Sequence, residues 1–70
     1  MNFTVTVEFY NFDTDFRSGS HSDTIIGKNN AIYYAKDCMR AINAQTAIVT
    51  DSYTGEVIYE NKFGKEWFSV

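Results

Sequence analysis

Three groupings in this 70-residue chain bring together side chains able to do chemistry. Asp13 and Asp15 in FDTDF, with Asp23 further on, offer carboxylate oxygens of the kind a hard cation gathers in a flexible loop. The spacing lacks the glycine and the closing bidentate Glu of a calcium loop, so it favours an ordinary acidic loop and assigns no metal ligand. His21 lies in RSGSHSD beside Ser18, Ser20, Ser22 and Asp23, the residue types of a hydrolytic triad. A triad needs nucleophile, base and orienting acid held rigidly beside an oxyanion site, and a Gly/Ser segment loses that order, so His21 reads as a solvated loop histidine. Cys38 falls on the apolar side of a helical wheel, where a thiol behaves as a small hydrophobe. Its charged neighbours Lys36, Asp37 and Arg40 lie elsewhere on the wheel, so it reads as core rather than as a nucleophile. No catalytic residue and no cofactor is expected, and the chain reads as a non-enzyme.

Two further groupings bear on binding. Tyr33, Lys36 and Arg40 share the outward side of the same wheel and form a cation-and-aromatic patch of the kind that contacts phosphates and stacks on bases. Asp37 lies among them, and a solvated helix surface is the plainer reading. Glu8, Glu56 and Glu60, joined by Asp51, place carboxylates along one sheet face and its turn, in partial imitation of a phosphate backbone. True mimics carry denser charge. The net charge of −3, from nine acidic and six basic side chains, opposes a sequence-independent nucleic-acid binder.

The elements that must position these residues belong to one small domain spanning residues 1–70, and a chain this short buries only about 60% of the surface it exposes when unfolded, so its stability is expected to be marginal. A single cysteine rules out an intrachain disulfide, and one His with no Cys pair supplies no zinc set. One Trp, five Tyr and six Phe supply the bulk instead, so the core is expected to be aromatic-rich. MNFTVTVEF alternates and lacks the basic and apolar regions of a signal peptide, and no apolar run approaches the ~20 residues of a membrane span. A soluble, cytoplasmic protein with no membrane partner is the expectation.

From Phe3 to Phe9 the apolar residues recur at every second position, the period of a half-buried strand. Residues 11–23 collect Asp, Ser, Gly, Asn and His and predict a loop or loosely ordered hairpin anchored by Phe12 and Phe16, with a short strand over 23–26 that pairs back on the first and is ended by Gly27. Asn29 or Asn30 is the expected cap of a helix running to about Asn43, with Ala31, Ile32, Ala35, Cys38, Met39 and Ile42 on its buried side. QTAIVTDSYTGEVIYEN then predicts an antiparallel hairpin, Gly55 supplying the positive φ of its turn. The tail KFGKEWFSV is too apolar to stay in water, and either folds back or is adhesive.

The resulting fold is α+β, of order β-β-α-β-β, with one helix on one face of a mostly antiparallel sheet. Alternation directs Phe3, Val5, Val7, Phe9, Ala47, Val49, Val57 and Tyr59 toward the helix. It leaves Tyr10, Ile48 and Ile58 among Thr and Glu on the other face. Protein contact is expected through the open sheet face, the long loop or the aromatic tail, at Tyr10, Ile48, Ile58, Trp67 and Phe68, the partner being another protein or a second copy of the chain.

The segment NAIYYAKDCMRAINAQTAIVTDSYTGEVIYEN, with its Asp51…Thr54-Gly55-Glu56 turn, resembles the small α+β accessory proteins of phages and mobile elements. The likeness covers a little under half of the chain. It implies an interaction role such as inhibition of a host factor or of a defence protein, and implies no catalytic residue.

Overall fold

The computed structural model describes residues 1–11 and 16–69, the side chains at 11 and 16–18 excepted. Two strands, β1 (Asn2–Asn11) and β2 (Phe16–Ile26), precede a helix, α1 (Lys28–Ala41). β3 (Thr46–Asp51), β4 (Val57–Lys62) and β5 (Lys65–Phe68) follow. They form one antiparallel sheet in the order β2-β1-β3-β4-β5. The α+β reading holds, with one helix on one face, and the tail folds back as a fifth strand.

Alternation along β1 becomes burial because the central strands align their apolar positions. Val5 stands opposite Val49, and Val49 opposite Tyr59, so one face presents a continuous row to the helix. Ala31, Ala35 and Cys38 meet this row, their short side chains letting the helix sit close, with Ile32 and Met39 packed at its margin. The helix lies over β1, β3 and β2 and connects β2 to β3 across the intervening β1.

Three local expectations change. The helix opens on Gly27, whose φ of 93° suits glycine, and not on Asn29 or Asn30. The Asn30 amide instead donates backwards to the Ile26 carbonyl at 3.2 Å, sealing the end of β2. At the other end Ile42 follows the last turn and is exposed, not buried. Of the expected loop or loosely ordered hairpin, the described residues form the hairpin, and its second strand is longer than 23–26: β2 starts at Phe16 and pairs with β1 over nearly its whole length. Pairing with a strongly alternating neighbour outweighs the poor strand propensity of Ser, Gly and Asp. Asp13 and Asp15 lie outside the described residues, as does Phe12.

The β3–β4 and β4–β5 turns follow from their residues. In the first, Asp51 Oδ1 accepts the Tyr53 and Thr54 amides at 2.8 and 3.3 Å, and Gly55 takes φ 78°. In the second, Phe63 and Gly64 both have positive φ, 54° and 92°, the signature of a two-residue primed turn matched to strand twist. Phe63 occupies a conformation that costs an ordinary L-residue about 1–2 kcal/mol. Its amide donates to the Gln45 carbonyl at 2.8 Å and its ring packs on Tyr10 with centroids 5.3 Å apart, contacts that hold it there.

Candidate protein-binding surface

Cross-strand partners share a face, so the register places each candidate. Ser22, Thr6, Ile48, Glu60 and Trp67 form one row across the uncovered side of the sheet. Ile48 sits half-buried at its middle, and Trp67, two strands away at about 10 Å by strand spacing, is 50% exposed at the edge. Glu60 lies between them, with Lys62 Nζ 3.3 Å from its carboxylate. Tyr10 stands at one end of this side, its hydroxyl donating to Glu8 Oε1 at 3.2 Å. The Thr46 hydroxyl donates to the same oxygen at 3.2 Å. Among the described residues no helix or further strand covers this face.

Two of the expected contact residues lie elsewhere. Ile58 is 8% exposed and belongs to the buried cluster. The β3–β4 register slips by one residue here, so Val57 stands opposite Thr50 on the open side, the reverse of what simple alternation predicts. Phe68 is opposite Tyr59 and so lies on the helix side, 48% exposed, its ring 4.9 Å from that of Tyr59. Of the five, Tyr10, Ile48 and Trp67 share a surface.

The patch on the outer helix is less free than the wheel implies. Tyr33, Lys36 and Arg40 line one shallow hollow with Asp37. Arg40 donates to Asp37 Oδ1 at 2.6 Å. Lys36 leans toward β5, 3.7 Å from Glu66 Oε2 and 5.4 Å above the Phe68 ring. The carboxylates considered for phosphate mimicry are also dispersed. Glu8 and Glu60 point to the open side in different rows, Asp51 caps its turn, and Glu56 lies exposed beside it.

His21 and Asp23 do meet, Nε2 to Oδ2 at 2.7 Å, on the helix side of β2. The Tyr34 hydroxyl donates to the same Asp23 oxygen. These bonds, Tyr34 first and His21 second, hold the Asp23 carboxyl below its ordinary value, and the bond to Asp23, aided by burial, pushes the Tyr34 hydroxyl up. Ser20 and Ser22 pair with Glu8 and Thr6 on the opposite side of the sheet, so no serine hydroxyl of β2 with a described side chain reaches the imidazole. The trio is a helix-to-strand tether. Cys38 is buried, as its helical position predicts.

Gln45 and Tyr34 escaped the sequence reading, and Phe63 entered it only as part of the apolar tail. Gln45 extends the ladder where β1 outruns β3: its amide donates to the Glu8 carbonyl, and its side-chain oxygen accepts the Tyr10 amide at 2.7 Å. Only Phe63 had a usable signal, the Gly64 that follows it between two lysines. Among the described residues no buried side-chain nitrogen or oxygen lacks a partner, and no three His, Cys, Asp or Glu side chains are placed to hold a metal ion. No described helix is long and apolar enough to cross a membrane. The chain matches no protein-family model, no curated protein and no solved structure.

Proposed function

We propose that this chain is a non-enzymatic protein-binding module whose contact surface is the open sheet face, with Ile48 and Trp67 as its apolar anchors and Tyr10 at its margin. The supporting observation is the cross-strand row itself. Two large apolar side chains flank Glu60 on a face that no element of the described residues covers, within a rim of Thr, Ser, Glu and Lys. Interface energy concentrates on such anchors when a partner excludes water from them. A bound protein would have that part of its own surface occluded, which is how a module of this size inhibits a host factor or a defence protein.

The test is a pair of substitutions, Ile48→Ser and Trp67→Ala. Both are expected to keep the far-ultraviolet circular dichroism of the parent and to lose a partner captured by the wild-type chain. Retained capture by both variants, or loss of the fold in Ile48→Ser, would overturn the reading.

A second reading, association with nucleic acid through Tyr33, Lys36 and Arg40, draws on the hollow these residues share. The ion pairs of both cations with Glu66 and Asp37 weigh against it. A low-salt mobility shift that fades with added salt and is weakened by Lys36→Glu and Arg40→Glu would favour it.

A further inference from the structure

The sheet has two edges, and they are not guarded equally. β5 offers only Lys65–Phe68 and carries a lysine at its start. β2 offers Phe16–Ile26, and from Gly19 to Ile26 it contains no Lys, Arg or Pro and no register slip. Native edge strands are ordinarily shortened, bulged or charged because their free N–H and C=O groups template another strand.

The groups that face outward can be identified. The Glu8 and Asn2 carbonyls are taken on the β3 side by the Gln45 and Ser52 amides, and the Met1 carbonyl on the β2 side by the Gly27 amide. Odd residues of β1 therefore bond to β2. Their partners Gly19, His21, Asp23 and Ile25 turn their backbone groups inward. Ser20, Ser22 and Thr24 turn theirs outward, and the Asn30 amide caps the next outward carbonyl, that of Ile26. The exposed template is thus a short window centred on Ser22.

We propose that this window pairs antiparallel with the same window of a second copy, about a two-fold axis at Ser22, joining the two sheets edge to edge. In that register Ser20 faces Thr24 of the second copy and Ser22 faces Ser22. These are the pairs whose backbones exchange hydrogen bonds, and their hydroxyls lie side by side on the open face. On the helix face His21 stands opposite Asp23 of the second copy, and Asp23 opposite its His21, in the closely spaced non-bonded positions. Gly19 stands opposite Ile25. A Cβ at Gly19 would meet nothing within 4 Å, so the space above it is open to that isoleucine.

Neighbouring registers lose this match. An axis at His21 sets imidazole against imidazole, and one at Thr24 sets Asp23 against Ile25. The axis at Ser22 sets no like charges opposite each other within the window. It leaves both helices on the same side and doubles the width of the open face. The pairing stands or falls independently of the role of Ile48 and Trp67.

Sedimentation velocity on the full chain at micromolar concentration is expected to show a dimer. Ser22→Pro removes an outward N–H from an edge, where proline is tolerated. It is expected to raise the dimer dissociation constant by roughly 30-fold, as loss of two backbone hydrogen bonds would. Disulfide trapping reads the register directly. Ser22→Cys places two thiols about the two-fold at a backbone separation of roughly 5.5 Å, within disulfide range, and is expected to cross-link under mild oxidation. Ser20→Cys alone is expected not to cross-link, whereas Ser20→Cys mixed with Thr24→Cys does. A wild-type monomer at these concentrations would overturn the proposal. So would cross-linking of Ser20→Cys as rapid as that of Ser22→Cys, or a dimer lost in Ile48→Ser yet intact in a folded Ser22→Pro.

Discussion

The two faces of the sheet are built from the same strands and have opposite fates. On the helix side Val5, Val7, Ala47, Val49 and Tyr59 lose nearly all contact with water. On the other side Thr4, Thr6, Glu8, Ile48, Thr50 and Glu60 remain half-buried, and Thr4, Thr6, Glu8 and Glu60 make short polar contacts with neighbouring side chains. Among these are Thr4 Oγ1 to Ser52 Oγ at 2.7 Å and Thr6 Oγ1 to Ser22 Oγ at 3.1 Å. The covered face holds the buried core, and no element of the described residues lies on the other. A face tied together by hydroxyls and carboxylates needs no second helix, because its polar groups are satisfied by neighbours and solvent.

Substitutions on the two faces are expected to separate accordingly. Tyr59→Ala empties the most deeply buried aromatic position among the described side chains and is expected to cost about 3–5 kcal/mol, against a total of roughly 4–10 kcal/mol for a domain of this length. Urea denaturation should find it mostly unfolded or close to it. A cost below about 1 kcal/mol would show that the covered face is not the core. Gly55→Ala tests the turn that joins β3 to β4. A Cβ there meets nothing within 4 Å, so the expected loss of about 1–2 kcal/mol arises from the positive φ alone. Ile48→Ser on the open face is expected to cost only about 1 kcal/mol, a value near that for Tyr59→Ala erasing the distinction between the faces.

The covered face also predicts an alkaline limit. Burial, with the hydroxyl donated to Glu66 at 2.7 Å, pushes Tyr59 up to about 12. A group raised in the folded state stabilises fully below its unfolded value of about 10 and loses that contribution as pH rises through its folded value. Stability is therefore expected to fall above pH ~10, with a tyrosinate absorbance phase near pH 12 that Tyr59→Phe removes. Asp23 acts at the other extreme. Its carboxyl is lowered by the Tyr34 and His21 bonds, so its contribution is present above about pH 4 and is lost as pH falls through its folded value. Tyr34→Phe is the smallest change and is expected to move the Asp23 titration back toward the ordinary range, read by carboxyl NMR.

Much of this architecture was legible because period and turn chemistry act locally. The β1 alternation, the Ala31/Ala35/Cys38 stripe and the Asp51–Gly55 turn all appear where the residues predict them. β2 was not legible. FRSGSHSDTII has no apolar period, since an edge strand of small polar residues needs only a partner's backbone. The candidate surface was half legible. Ile48 and Trp67 were identifiable as apolar residues outside the core pattern, but the loss of Ile58 to the interior depends on a one-residue slip that no periodicity encodes.

From its residues alone the chain specified that one sheet face would be greasy and the other hydroxyl-rich, because side chains alternate along any extended backbone. Which strands lie at the edges was decided only when the sheet assembled. So was the side of the sheet on which Trp67 and Phe68 emerge, because pairing order and register depend on contacts between segments far apart in sequence.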